Sequence, residues 1–278
     1  MRRLIWTAPR GRILWELLAI LLGRWQEPSF FGWEMMTHSS TPWHNGGGDD
    51  IAKAYLRANR ELRDKVKHGD FKLTQLGAMT SDYELEDILS ELMWRHYIVF
   101  WSAYYASKNT VCPCKNLVEC GVCDGMTAFF AMRAATSTSQ CKAFLYDAWT
   151  AMKAEDLVDS EKRNAGAYGY LDLENTKRNL IAFQHDTVFI KGRIPDSFRT
   201  SDNPTEIVWI HIDLNSSLPT TAALQFFFDR IVPGGVVLFD DYAGHGYDDT
   251  KLAVDQFFSG RNGVLFPLPT GQAIYFKH

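Results

Sequence analysis

Residues 117–130 read LVECGVCDGMTAFF. An apolar run broken only by Glu119 enters a turn carrying Gly121 and Gly125, and a helical pattern follows directly. Glycines let a backbone approach a ligand closely, and the first turn of a helix offers N–H groups without intrahelical partners. A strand over 116–122 turned into a helix over 125–136 is the unit from which wound α/β sheets are built.

The same grammar continues down the chain. Further strands are predicted over 142–147, 187–192, 207–213 and 235–240, with helices over about 173–183, 219–231 and 249–259. Strands alternating with helices imply right-handed βαβ units and a mostly parallel, Rossmann-like sheet with helices on both faces. The ending departs from that pattern. Residues 263–278, GVLFPLPTGQAIYFKH, read as two strands around a Pro-Thr-Gly connection, so the last strand is expected to run antiparallel.

Upstream, Ile51 to about Ser107 has helical periodicity, strongest after an N-cap at Ser81 or Asp82. Residues 26–50 are rich in Gly, Ser, Thr and Pro and read as a linker. Before it, an apolar run from Ile13 to Leu22 contains Glu16 and is too short to span a membrane. It is expected to pack on the body or on a second subunit, with a membrane-surface anchor as the alternative. The organisation is thus residues 1–50 as helix and linker, 51–110 as a helical cap, and 111–278 as the α/β domain. No internal repeat is present.

The 278 residues, 46% apolar and 14% aromatic, suit an ordered globular protein. A net charge of −4 leaves no basic excess for nucleic acid, so no nucleic-acid partner is expected. Five cysteines in a chain of this length point to free thiols and a cytoplasmic location. Cys112, Cys114, Cys120 and Cys123 have zinc-like spacings, but the last two fall inside the glycine turn, which disfavours a structural zinc.

Ligands of such sheets collect beyond the carboxyl ends of the strands. Asp147 ends the second strand, 22 residues after Gly125, where a carboxylate suits a ribose diol. The first turn reads acid-x-Gly-x-x-x-Gly, with Cys123 where a dinucleotide fold has its second glycine. Glu119 would repel a pyrophosphate, so NAD is disfavoured and a positively charged nucleoside favoured. Two later strands also finish in acids: IVWIHIDLNSS (207–217) on Asp213 and GGVVLFDDY (234–242) on Asp240 and Asp241. Three carboxylates at one sheet edge repel one another unless a cation or protons intervene.

LVECGVCDGMTAFF, LYDAW (145–149), residues 211–242 and AVDQF (253–257) together resemble a class I S-adenosylmethionine-dependent methyltransferase, in particular the macrocin O-methyltransferase-like group. The resemblance covers roughly residues 80–278. It implies a seven-stranded sheet with an antiparallel last strand, and transfer of a methyl group to a hydroxyl of a sugar, a glycoside or another polyhydroxylated small molecule. It assigns Glu119, Gly121 and Gly125 to the amino-acid side of S-adenosylmethionine, Asp147 to its ribose and Gly192 to the neighbourhood of its adenine. It assigns Asp213, Asp240 and Asp241 to a divalent metal, for which an oxygen-only site suits Mg²⁺. A metal there would lower the hydroxyl's pKa and aim its oxygen at the methyl. A homo-oligomer is expected.

One position departs from the family. Its members place an acid or histidine two or three residues after the first metal acid, where this chain has Asn215 and Ser216. An amide takes no proton at neutral pH. His245, in the loop after the second acid pair, is the expected substitute base beside Asp213, with His211 less favoured because it lies inside the strand. The alternative is a cofactor-binding protein that has lost catalysis and serves as a partner or scaffold. Substrate selection is expected from the N-terminal helices and from residues 150–169, a candidate lid.

Overall fold

The computed structural model describes residues 50–74, 89, 92–113, 115–199 and 203–278. The expected helix over Ile13–Leu22, the linker before Asp50, the cap at Ser81 or Asp82, and Cys114 lie outside the described residues.

The described helices are α1 (Asp50–His68), α2 (Met93–Asn109), α3 (Met126–Thr136), α4 (Leu173–Asn179), α5 (Ser217–Phe227) and α6 (Asp248–Phe258). The strands are β1 (Lys115–Cys120), β2 (Cys141–Asp147), β3 (Thr187–Lys191), β4 (Ile207–Ile212), β5 (Ile231–Phe239), β6 (Leu265–Pro267) and β7 (Ala273–Phe276). They form one seven-stranded sheet in the order β3-β2-β1-β4-β5-β7-β6. β1 to β5 pair in parallel, and β7 runs antiparallel to both β5 and β6. The terminal hairpin and its direction are as the sequence predicts.

Strand side chains alternate between the faces, and two cores result. Leu117, Leu145, Trp209 and Leu238 pack on one face with Tyr55, Leu62, Val99 and Phe130 of the first three helices. Val118, Tyr146, Ile210 and Phe239 pack on the other with Leu224, Phe227 and Val254. The helices expected as a cap therefore share a core with the sheet. Full burial of Leu62 and Leu117 contributes roughly 1.5–3 kcal/mol each. Trp209 Nε1 donates to Ser102 Oγ at 2.8 Å, which satisfies the buried indole and fixes α2 against β4.

Two boundaries differ from expectation. The long helical pattern is interrupted at Gly69, whose φ of +79° ends α1 while the amides of Asp70 and Phe71 bond back to Lys65 O. The strand expected over 235–240 begins at Ile231, and its register with β4 breaks between Ile207 and Trp209. Pro233 lacks an N–H, and Gly234, at φ +80°, turns its own N–H to Lys277 O instead. Helix α5 correspondingly ends at Phe227. Among the described residues no helix is long and apolar enough to cross a membrane.

Candidate active site

Four strands end along one rim, and backbone bonds extend their ladder by one residue each. Gly121 N bonds Tyr146 O, Gly192 N bonds Asp147 O, Asp213 N bonds Cys120 O, and Asp240 N bonds Ile212 O. A cavity of about 340 Å³ opens on this rim, lined by Gly121, Cys123, Asp147 and Gly192 and also by Arg95, Asp213, Asn215, Asp240, Asp241 and Tyr247. That volume is in the range of small-molecule sites. Tyr168, Met152 and Leu157 of residues 150–169 also line it, so the candidate lid forms part of its wall. Glu161 fastens that segment by accepting from Ser216 Oγ at 2.7 Å and from Ser217 N at 2.8 Å, at the start of α5.

Gly121 is required by packing. At its φ of +89°, a β-carbon would lie 1.7 Å from Asp213 O. Asp147 closes the glycine turn: Oδ2 accepts from Val122 N and Cys123 N, both at 2.8 Å, and Oδ1 from Trp149 N at 2.7 Å. Burial raises the pKa of Asp147, and these bonds oppose the shift. Among the described residues, Cys123, Trp149, Tyr168 and Asn215 are the non-glycine residues with positive φ, and three of them line the cavity. Such backbone concentrates at working sites because it costs about 1–3 kcal/mol per residue.

Three expected residues stand elsewhere. Glu119 is buried beneath the rim, bonded to Thr127 Oγ1 and to His211 Nδ1, and does not line the cavity. Position 119 pairs with His211 in the register, so both point into the face that carries α2. Gly125 starts α3 at φ +89° and its missing side chain makes room for Leu180 and Thr176, a packing role. His245 is exposed on its loop and does not line the cavity, whereas Tyr247, two residues on, does.

The acid cluster is more elaborate than the sequence suggests. Arg95 of α2 places Nη2 2.6 Å from Asp213 Oδ2, and Nε 2.7 and 2.9 Å from the two oxygens of Asp240. Gln272 Nε2, from the terminal hairpin, donates to Asp240 Oδ1 at 3.0 Å. Asn215 joins the remaining groups: its N–H donates to Asp241 Oδ2 at 2.7 Å, Nδ2 lies 3.3 Å from Asp213 Oδ1, and Oδ1 accepts from Tyr247 Oη at 2.7 Å. Behind them His211 stands between Glu119 and Asp240, with Nε2 3.7 Å from Asp240 Oδ1.

These positions separate the titrations. Burial pushes Asp213 up, and the Asp240 charge adds to it, to about 6 despite Arg95. For Asp240 the burial cost is outweighed by Arg95 and His211, which hold it well below the usual carboxylate range. Burial and its two acidic neighbours raise Asp241. Burial alone would lower His211, but Asp240 and Glu119 carry it up to about 10. Burial likewise pushes the Cys123 thiol up, so it stands as a neutral wall rather than a nucleophile.

A cofactor of the expected kind fits this chemistry. The glycine cradle at Gly121 admits no side chain, and an acid-lined cavity suits a sulfonium better than a phosphate. The metal expected on Asp213, Asp240 and Asp241 fits less well, because a guanidinium already lies between the first two carboxylates. Ligand atoms of His211, Asp213 and Asp240 lie within 4.8 Å of one another, but this group includes the buried nitrogen of His211 and omits Asp241. It is not the oxygen-only set that suits Mg²⁺.

The sheet order and the glycine turn define the class I methyltransferase architecture. Residues 118–242 match the family described as a methyltransferase domain. The O-methyltransferase NovP superposes with a TM-score of 0.59 at 18% identity, over 66% of this chain and 80% of that one. The calicheamicin methyltransferase CalS11 superposes with a TM-score of 0.54 at 15% identity, over 91% and 99%. No curated protein matches the sequence. Residues 118–242 thus match a methyltransferase domain, and the chain has the fold of the class I methyltransferases.

Arg95, Tyr168, Tyr247 and Gln272 were not among the residues expected at the site. Of these, Tyr168 falls within the candidate lid over 150–169, and Arg95 had a visible signal as a charge inside the aromatic run MWRHYIVFW (93–101).

Proposed function

We infer that this chain methylates a hydroxyl of a sugar or another polyhydroxylated small molecule, with Asp213 as the proton acceptor. The carrying observation is a half-buried carboxylate on the cavity wall, raised to about 6 and bonded to Asn215 at Oδ1 only by a long 3.3 Å contact. A base is most effective when its pKa lies near the working pH. Bound in the cavity, S-adenosylmethionine supplies a methyl group on a sulfonium, which needs no further activation.

The protein's tasks are alignment and proton removal. Asp213 takes the hydroxyl proton as the oxygen–carbon bond forms and the carbon–sulfur bond breaks, its electron pair staying on sulfur. Asp240, kept ionised by Arg95, and Asp241 offer acceptors for further hydroxyls of a polyol. Asn215 holds Asp213, Asp241 and Tyr247 in register rather than acting as a base. No metal takes part in this sequence of events. The solved structures of similar fold, named an O-methyltransferase and a calicheamicin methyltransferase, support an acceptor of this class.

The test is release of S-adenosylhomocysteine in the presence of a panel of glycosides and sugar nucleotides, with wild type and Asp213→Asn. Turnover on a hydroxyl acceptor that Asp213→Asn removes supports the assignment. Cofactor binding without turnover on any acceptor would favour the catalytically lost binding protein, for which Asn215 is the motivating residue.

A further inference from the structure

We propose that Arg95 is the resident cation of the acid cluster, standing where a divalent metal would stand and making the site metal-free by construction. Its three short contacts span facing oxygens of Asp213 and Asp240. A guanidinium is planar and always charged, and its fixed fork of donors matches carboxylates better than a hydrated ammonium does.

The arrangement is held from both sides. Tyr55 Oη donates to Met93 O at 2.8 Å at the start of α2, and His96 stacks on Phe130 at 4.8 Å, so the helix bearing Arg95 is tied into the core. Gln272 fixes Asp240 from the hairpin, and Asn215 holds Asp213 from its own loop. Each carboxylate thus has its inner oxygens aimed at N–H donors. A magnesium ion needs oxygen lone pairs at about 2.0–2.1 Å in near-octahedral array. Its entry would require Arg95 to leave, since two cations cannot share the space between two carboxylates without strong repulsion.

The bonds to the two acids use Nε and Nη2, and a guanidinium has five N–H donors in all. Donors beyond those bonds serve an acceptor oxygen on the cavity side, where Arg95 contributes to the wall. This last role rests on the hydroxyl-methylation assignment; the exclusion of metal does not.

Mn²⁺ serves as the probe, followed by electron paramagnetic resonance on the full chain, with S-adenosylhomocysteine calorimetry on the same samples. Wild type is expected to show no saturable Mn²⁺ binding, and Arg95→Met to gain a one-to-one site that the added Asp213→Asn change removes. Turnover of wild type is expected to be unchanged by EDTA. Stoichiometric Mn²⁺ binding to wild type that Asp213→Asn abolishes would overturn the proposal, as would an Arg95→Met protein as silent as wild type. Should Arg95→Met not fold, the wild-type titration decides alone. The calorimetry keeps the questions separate, because absent S-adenosylhomocysteine binding counts against the cofactor assignment and leaves the metal result standing.

Discussion

Gly121 and Asp213 meet through backbone alone, on neighbouring strands, with 1.7 Å between the position of a β-carbon and a carbonyl oxygen. Gly121→Ala therefore forces β1 and β4 apart at the point where the glycine turn and the acid cluster adjoin. Overpacking costs about 1–3 kcal/mol, and the left-handed φ adds about 1–2 kcal/mol more. Urea denaturation should show that loss together with loss of S-adenosylhomocysteine binding. A variant as stable as wild type would show that the strands can separate freely.

Asp213 sets a pH limb. With its carboxyl at about 6, turnover should rise with pH through that value and level off above it. Asp213→Asn should lower kcat by about 10²–10⁴-fold. Asn215→Asp places a second charge beside Asp213 and should move the limb to higher pH, since a like charge disfavours ionisation. A limb that stays in place would assign it to another group.

How much of this was visible in the sequence depends on the distance over which the cause acts. The glycine turn and the strand-end acids are local patterns, and Gly121, Asp147, Gly192, Asp213, Asp240 and Asp241, singled out by them and by the family resemblance, do line the cavity. Glu119 stands apart because strand alternation sends its side chain into the face beneath α2. Arg95 meets Asp213 and Asp240 across 118 and 145 residues, a contact that only the packing of α2 on the sheet creates. His245 looked suitable by sequence distance, but the loop turns Tyr247 inward instead.

His211 gives a stability signature of the opposite slope. Its pKa is carried from the ordinary histidine value of 6.5 up to about 10 in the fold, so between those values the folded protein holds a proton the unfolded chain has released. The stabilisation is complete below 6.5 and is lost as pH rises toward 10. Tm of wild type should fall across that window more steeply than that of His211→Asn. Parallel slopes would mean the imidazole is neutral in the fold.

Glu161 joins the lid to α5. Glu161→Ala removes acceptors from Ser216 and Ser217, a loss comparable to a helix cap at about 1 kcal/mol. Limited proteolysis should then cut within residues 150–169 faster, and KM should rise more than kcat falls. Unchanged cleavage would show that other contacts hold the segment.

The closure of the glycine turn by Asp147 bears on how the cofactor is met. Three backbone N–H groups already converge on that carboxylate before any ligand arrives. The conformational entropy of the turn is therefore lost during folding and not again on association. A ligand that meets this turn therefore meets a rigid receptor, and any slow step of association falls to the segment 150–169 that also lines the cavity.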